Sequence, residues 1–349
     1  MSKEILRRDM TSHRYQFSGR DISRVLTIPL AVVLMFALIM HAGVWFNWWP
    51  APHPTLDVDR TILLHQAHAA SSTQSADLLL IGDSSCLMDV SARRLEELLG
   101  RQAGVLNLGT LSYLDLQDYS QLLRRHVETN PGRLKTVVLL MHPEALRRSQ
   151  PNPLHVELLR DALAGRDSCR TDTLRNRMAC LAGLEIFRGR MFSRVIPSPL
   201  PGKFGARYGF ASELWDYLSA HNGSAIDPAS LTPAGRRIDT DYRLSERLRE
   251  SSRAFRAAVP QGVHLVVGIT PCAESFVAAG HRQTVSRMLT DWSGWLQADA
   301  RLDAFPAVLP DDQFARPAGT DSNPVHLNER GNEAYTRRFA EILNQPGNR

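Results

Sequence analysis

A long apolar run near the N-terminus divides this chain. The residues from Val25 to Phe46, about 22 in all, include no Asp, Glu, Lys or Arg. At about 1.5 Å per residue, a helix of roughly 22 residues spans roughly 33 Å, which is enough to cross the hydrocarbon core of a bilayer. The sequence therefore predicts a transmembrane anchor at 25–46, preceded by a short tail at 1–24.

The charges around this run predict its orientation. Six basic residues face three acidic ones in the tail, whereas the first basic residue after the run is Arg60. The positive-inside rule then places the tail in the cytoplasm. We expect a single-pass protein with its main domain outside the cytoplasm.

The apolar run has two alternative interpretations besides an anchor. The run could be a buried helix of a soluble protein, although it would then need a core on every side. It could also belong to a cleaved signal peptide with Ala67-His68-Ala69 as the cleavage site. That site lies far from the apolar run, and the run is longer than a usual signal core, so the uncleaved anchor is favoured.

Residues 47–76 are rich in Pro, His, Ala and Ser, which predicts a linker outside the cytoplasm, either a stalk or a short helix. The main domain is predicted to begin at Asp77 and to extend to residue 345. Four apolar runs of strand length follow, namely Leu78–Ile81, Gly104–Leu108, Thr136–Met141 and His264–Thr270.

Helical patterns alternate with these strands. Ser91 can cap a helix that ends at Gly100, Asp115 to Val127 forms a second helix, and Asn328 can cap a final one. This alternation predicts an α/β fold, a three-layer doubly wound parallel sheet. Ligands of such sheets bind beyond the carboxyl ends of the strands.

The stretch at about 145–241 is too long for an ordinary crossover between strands, so we interpret it as an insertion or lid. Ten arginines and five acidic residues lie between Ala145 and Arg194. Two interpretations stay open: a solvated subdomain, or a groove for an anionic or carbohydrate ligand. The aromatic residues in or near this region are Phe187, Phe192, Phe204, Tyr208 and Trp215.

The four cysteines are scattered. Cys169 and Cys180 are close in sequence and are the favoured disulfide pair in an oxidising compartment. Cys86 and Cys272 each follow a predicted strand, and they could pair or remain free buried thiols. Since no zinc-ligand spacing and no basic stripe with interleaved aromatics is present, we expect no metal or other cofactor and no nucleic-acid partner.

The residues whose side chains could carry out catalysis lie at the two ends of the main domain. The first strand closes in Gly82-Asp83-Ser84, and 242 residues after this serine the chain contains His326, within Pro324-Val-His326-Leu-Asn328. A serine hydroxyl needs a neighbouring base to react, so this pairing suggests a nucleophile and its base. Asp83 is expected to brace the turn by accepting backbone N–H groups.

Together with Asn107-Leu108-Gly109 after the second strand, these motifs resemble the SGNH (GDSL) hydrolase superfamily over most of 77–345, apart from the insertion. The resemblance implies that Ser84 is the nucleophile and His326 the base. It also implies an oxyanion hole made by the backbone N–H groups of Ser84 and Gly109.

This chain departs from the family pattern at two places. The family places an Asp three residues before the histidine, where Asn323 stands here, so we favour Asp321 as the acid and keep Asn323 as the alternative. After the third strand the family has a Gly-x-Asn donor, but this chain has His142 and then Pro143. Either His142 substitutes, or only backbone donors remain, or the site is catalytically weak; His142 could equally be a structural core imidazole.

An anchor, an SGNH domain and the loss of that asparagine resemble proteins that modify bacterial surface polymers, such as those of alginate and cellulose O-acetylation and teichoic-acid D-alanyl transfer. The resemblance implies acyl transfer to a polysaccharide acceptor through an acyl-serine. It further implies an acyl donor and a multi-pass membrane O-acyltransferase as partner. It also implies a bacterial inner membrane as location, with the linker at 47–76 and the main domain in the periplasm. The alternatives are a non-catalytic glycan-binding or assembly scaffold and a simple GDSL esterase or lipase.

Overall fold

The computed structural model describes residues 18–45, 58–74, 76–100, 104–111, 114–147, 150–164, 200, 202–227, 244–277, 279–302, 308–315 and 325–344. The chain forms two compact units, Met1–Ala51 and Pro52–Arg349.

The first unit contains helix α1, Gly19–Trp45. Its segment Gly19–Ile39 has a mean hydropathy of 2.3, and none of this segment is buried within the protein. Within the part of the chain that the structure describes, α1 is the one helix that is long and apolar enough to cross a membrane. A helix in the core of a soluble protein would bury most of these side chains, whereas none of Gly19–Ile39 is buried.

The second unit is built on a five-stranded parallel sheet. In chain order, the strands of this unit are β1 Leu78–Gly82, β2 Val105–Asn107, β3 Thr136–Met141, β4 His264–Ile269, β5 Cys272–Ala273, β6 Ala300–Leu302, β7 Val308–Leu309, β8 Phe314–Ala315 and β9 His326–Leu327. The main sheet has the order β2-β1-β3-β4-β6, while β5 pairs with β7 and β8 pairs antiparallel with β9.

The central strands of the main sheet pair in parallel and are buried. Leu78 lies opposite Val105 on one side and Thr136 on the other, and Thr136 lies opposite His264. All of Leu78–Ile81 is fully buried, as expected for a strand covered on both faces. The predicted α/β class and parallel sheet are confirmed.

Helices cover both faces of the sheet. After α1 they are α2 Val58–Ala70, α3 Ser84–Asp89, α4 Ala92–Leu99, α5 Leu116–Thr129, α6 Pro143–Arg147, α7 Pro153–Leu163, α8 Gly202–Tyr208, α9 Ala211–Ala220, α10 Glu246–Arg256, α11 His281–Leu296 and α12 Glu329–Leu343. Helices α4 and α12 pack against each other, and α5, α10 and α11 pack side by side as a second group.

Local capping signals set the helix ends. The Ser91 side chain accepts the N–H of Arg94 at 3.3 Å at the start of α4, and Gly100 ends that helix in the left-handed conformation. Asp115 caps α5, and Asn328 accepts the N–H of Gly331 at 3.0 Å at the start of α12. The predicted caps at Ser91, Gly100 and Asn328 are confirmed, because each depends only on residues close in sequence, while the cap at Asp115 was not predicted.

Three features differ from the sequence-based expectations. Helix α2 lies within the predicted linker, yet Ile62 and Leu63 are fully buried and the helix packs against α5, α7 and α9, so the folded unit begins before Asp77. Strand β6 was not predicted, since its three residues are too few to produce a periodic signal. The predicted second strand is shortened to Val105–Asn107.

Within the predicted insertion, α7, α8 and α9 are described, and α7 packs against α2 and α5. Residues 165–199 and 228–243 lie outside the described residues. The favoured disulfide between Cys169 and Cys180, and the aromatic residues Phe187 and Phe192, therefore fall outside them.

Candidate functional site

In the main sheet, the chain adds β2 on one side of β1, and it adds β3, β4 and β6 on the other side. The strand order therefore reverses direction between the neighbouring strands β1 and β3. Doubly wound sheets of this order bind ligands in the crevice beyond the carboxyl ends of those two strands. Asp83 and Ser84 follow β1 directly, and His142 follows β3. The predicted serine therefore lies where the fold itself favours a ligand site.

The turn after β1 is tightly determined by its backbone. A Cβ at Gly82 would lie 1.8 Å from the carbonyl oxygen of Leu140, and φ at this position is +155°, so only glycine fits. Asp83 then caps α3: its Oδ1 accepts the N–H groups of Ser85 at 3.0 Å and Cys86 at 3.4 Å. The predicted bracing role of Asp83 is confirmed.

Ser84 is the first residue of α3 and its side chain is nearly buried, with 8% of the residue exposed. No hydrogen bond to another described residue involves its backbone N–H or its hydroxyl. An unengaged N–H at the start of a helix can donate to an anion. The hydroxyl and this N–H are therefore both available to a substrate.

His326 opens β9, and β9 is in contact with α3. The contact is anchored by the backbone N–H of Leu327, which donates to Oδ1 of Asp89 at 2.8 Å. The Nδ1 atom of His326 lies 3.9 Å from the same oxygen. The structure thus brings the segments of Ser84 and His326 together, although they are far apart in sequence.

The imidazole of His326 is neutral at physiological pH. Its side chain is 16% exposed. Burial lowers the pKa of His326 to about 4; the Asp227 carboxylate opposes this shift and the Lys203 ammonium adds to it. A neutral imidazole is the form that can accept a proton from a serine hydroxyl.

The predicted insertion contributes the two charged groups that act on His326. Lys203, in α8, donates to both carboxylate oxygens of Asp227, at 2.6 and 2.7 Å. The Asp227 side chain is 3% exposed, whereas that of Lys203 is 31% exposed. The insertion therefore forms part of the surroundings of the histidine.

The predicted oxyanion donors are differently placed. The N–H of Ser84 is unengaged among described residues, but the N–H of Gly109 donates to Oδ1 of Asn107 at 2.7 Å. Asn107 in turn donates through Nδ2 to the carbonyl of Cys86 in α3 at 2.8 Å. Gly109 thus holds α3 in place through Asn107 in this structure, and its part in an oxyanion hole stays a prediction that requires a change of partner.

His142 is buried, with both ring nitrogens near protein groups. Its Nδ1 accepts the N–H of Glu144 at 3.2 Å, and its Nε2 lies 3.6 Å from the Sγ of Cys272. The backbone N–H of His142 donates to Oδ2 of Asp83 at 2.9 Å. These contacts are those of a structural imidazole, and a donor role for His142 stays a prediction.

Both residues considered for the acid, Asp321 and Asn323, lie outside the described residues. Among those described, no group of three or more His, Cys, Asp or Glu side chains could hold a metal ion. Cys86 and Cys272 are free and buried, and burial raises the pKa of both thiols, so neither is a thiolate nucleophile.

Asp89, Asp227 and Lys203 were not predicted as site residues. Asp89 lies five residues after Ser84 in an unremarkable helical pattern, and the other two lie inside the insertion. No spacing in the sequence signals their proximity to His326. Such an acidic residue can be recognised as a candidate site residue only once the structure shows that it is buried.

The aromatic residues of the described insertion mostly pack against the protein. Trp215 contacts His65, with ring centroids 4.9 Å apart, and Tyr208 donates to the carbonyl of Ile226 at 2.7 Å. Phe204 stacks on Tyr208 with centroids 6.0 Å apart and is half-buried. Part of the Phe204 side chain is therefore exposed to solvent.

No protein-family model matches this chain, and no curated protein sequence matches it. Among solved structures, the chain is similar to the inhibitor-bound form of an aryl esterase from M. smegmatis, with 11% sequence identity and a TM-score of 0.30. The match covers 76% of this chain and 97% of the esterase. A similarity of this degree does not bear on activity, so the site has to be judged from its own geometry.

Proposed function

We propose that this protein is a membrane-anchored serine acyl-transfer enzyme, either an esterase or an O-acyltransferase, in which Ser84 is the nucleophile and His326 its base. The observation that supports this most directly is the packing of α3, which starts at Ser84, against β9, which starts at His326. A nearly buried serine with an unengaged hydroxyl and a neutral imidazole on adjacent elements are the parts that acyl transfer needs.

In the proposed reaction, His326 accepts the hydroxyl proton of Ser84 through Nε2 as the serine oxygen attacks the acyl carbonyl. The backbone N–H of Ser84 stabilises the oxyanion, since it points out of the start of α3 and has no described partner. The protonated imidazole then gives its proton to the leaving group. An acceptor hydroxyl, activated by the same histidine, finally releases the acyl group from Ser84.

We further propose that α1 anchors the enzyme in a bacterial inner membrane and that the acceptor is a surface polysaccharide. The charge distribution around the anchor and the resemblance to polymer-modifying SGNH proteins support this. The acyl group would come from a multi-pass membrane O-acyltransferase. An alkaline wash that leaves the chain in the membrane pellet, and a periplasmic reporter that is active only at the C-terminus, would support the topology.

The test of the chemistry uses the full chain in detergent micelles with p-nitrophenyl acetate as acyl donor. The wild type should show a burst of p-nitrophenol and gain one acetyl mass on Ser84. Ser84→Ala should abolish both. Ser293→Ala is the matched control, because that hydroxyl donates only to the Thr290 carbonyl at 2.9 Å in α11. A full burst from Ser84→Ala would refute the proposal.

One observation favours a second candidate, the non-catalytic glycan-binding scaffold. The N–H of Gly109 is engaged by Asn107, so Ser84 supplies the one oxyanion donor that is free among the described residues. Each such donor contributes about 3 kcal/mol to lowering the barrier, so a hole with a single donor is weak. No burst from the folded wild type, together with retention on a polysaccharide column, would favour the scaffold.

A further inference from the structure

Asp89 is the last residue of α3, the helix that Ser84 begins. It is fully buried. One of its oxygens, Oδ1, accepts the N–H of Leu327 at 2.8 Å and lies 3.9 Å from Nδ1 of His326. The carboxyl group and the imidazole are therefore held together by the backbone of the residue that follows the histidine.

Two buried atoms in this contact lack a hydrogen-bond partner: Oδ2 of Asp89 and Nδ1 of His326. Buried polar atoms in folded proteins nearly always have a partner, so an unpaired ring nitrogen 3.9 Å from a carboxylate whose second oxygen is also unpaired is unusual. Bringing Nδ1 to a hydrogen-bond distance requires a movement of about 1 Å or a rotation of the carboxyl group. Catalytic hydrogen bonds are often this long before a ligand binds.

We propose that Asp89 is the positioning residue of His326: its carboxylate accepts the Nδ1–H of the imidazole and leaves Nε2 free to take the proton of Ser84. This inference rests on the proposed function and replaces both acid candidates from the sequence, Asp321 and Asn323. In this arrangement one six-residue helix carries the nucleophile at its start and the positioning carboxylate at its end.

The charges around Asp89 show why it needs the histidine. Burial raises the pKa of Asp89, and the nearby carboxylates of Asp83 and Asp227 raise it further. The N–H of Leu327 and the Ser85 hydroxyl lower it. A buried carboxylate is stable when several donors point at it, and an Nδ1–H from His326 would supply the missing one.

Asp227 is the other acidic group that acts on His326, but its role is different. Both of its oxygens accept hydrogen bonds from the Lys203 ammonium, at 2.6 and 2.7 Å. Its charge is thereby largely balanced by Lys203, and the two groups have opposite effects on the pKa of His326. Asp89 has no such cation among the described residues, and its bond to Leu327 fixes it next to the ring.

The test compares Asp89→Asn with Asp321→Asn in the full chain in detergent micelles, with p-nitrophenyl acetate as substrate. Asn at position 89 can keep the bond from Leu327, but its amide N–H₂ faces His326 with donors and favours the wrong tautomer. We expect kcat to fall about 100-fold or more with KM within about 3-fold, while the exposed control Asp216→Asn stays within about 3-fold of wild type.

The kinetic outcomes separate this inference from the proposed function. If Ser84→Ala is inactive but Asp89→Asn keeps wild-type kcat, the positioning role is overturned and the serine chemistry stands. If Asp321→Asn instead shows the large loss, the acid is Asp321. If Ser84→Ala keeps full activity, the proposed function fails, and the tautomer measurement alone decides the role of Asp89.

That measurement is the long-range ¹⁵N–¹H spectrum of the wild type, with the His326 signals assigned by their loss in His326→Gln. Protonated Nδ1 and unprotonated Nε2 support the proposal, and the opposite tautomer overturns it. A merely structural Asp89 would not set the tautomer. Because this spectrum is taken on the wild type, it decides the question even if Asp89→Asn does not fold.

Discussion

The carboxylate of Asp83 joins the ends of two neighbouring strands: its Oδ2 accepts the backbone N–H of His142 at 2.9 Å, across the point where the sheet order reverses. Its other oxygen caps α3 through Ser85 and Cys86. A single buried side chain thus fixes both the start of the helix that carries Ser84 and the loop that follows β3. This relationship predicts a structural rather than a chemical role for Asp83.

Asp83→Ala should therefore lower the free energy of unfolding by about 2–4 kcal/mol, because it leaves several buried N–H groups without an acceptor. Chemical denaturation of the full chain measures this loss. Asp216→Ala, at an exposed position in α9, should change stability by less than about 0.5 kcal/mol. Equal, small losses in the two variants would contradict the bracing role.

Gly109→Ala should be strongly destabilising. A Cβ there would lie 2.4 Å from the backbone nitrogen of Leu87 and 2.8 Å from the carbonyl carbon of Cys86, both in α3. Backbone atoms cannot rotate away, so we expect a loss of about 3 kcal/mol or more. Gly294→Ala in α11 is the control: nothing lies within 4 Å of its Cβ position, and it should stabilise the helix by about 0.5–1 kcal/mol. A tolerated Gly109→Ala would show that α3 can move.

The stability that His65 and His326 contribute should decrease as the pH falls from about 6.5 to about 4, whereas the raised pKa values of Asp89 and Asp118 act in the opposite direction. Burial lowers the pKa of His65 and of His326 to about 4, so the unfolded chain binds protons in this window that the folded chain does not. Each histidine then reduces the free energy of unfolding by roughly 3 kcal/mol at pH 4 relative to pH 7. Thermal unfolding across this pH range measures the change.

His65→Asn provides the control for this effect, since it removes one of the two titrating groups. His65 is buried, and its Nε2 is 3.1 Å from the hydroxyl of Ser219. The variant should be less stable at pH 7 but should lose less additional stability between pH 6.5 and 4. If stability depended on pH identically in the variant and the wild type, His65 would have the same pKa in the folded chain as in the unfolded chain.

Substitutions in the Lys203–Asp227 pair should shift the pKa of His326 in opposite directions. Lys203 lowers that pKa and Asp227 raises it, so Lys203→Gln should raise it and Asp227→Asn should lower it. An NMR titration of His326 measures both. Lys203→Gln should also cost about 1–3 kcal/mol of stability, because Asp227 is buried. Arg338→Gln, in an exposed pair on α12, should cost less than about 0.5 kcal/mol. If the pKa of His326 shifted in the same direction in both variants, the proposed opposite effects of Lys203 and Asp227 on this histidine would be wrong.

Several parts of the fold could be predicted because their signals are local. The apolar run of α1, the buried strand from Leu78 and the caps at Ser91 and Asn328 each depend on residues within one or two turns. The bracing role of Asp83 follows from its place between a strand and a short helix. The alternation of these elements was enough to predict the parallel sheet.

The sequence by itself determined the apolar helix α1, strands β1 to β4, the caps at Ser91, Gly100 and Asn328, and the serine at the end of β1, since periodicity and turn chemistry act over a few residues. Only the tertiary structure decided that α2 is buried, that β6 joins the sheet, and that Asn107 engages the N–H of Gly109. It also decided which carboxylates surround His326. Asp89 and Asp227 lie 237 and 99 residues from this histidine, and contacts over such separations depend on how whole elements pack, which no local pattern encodes.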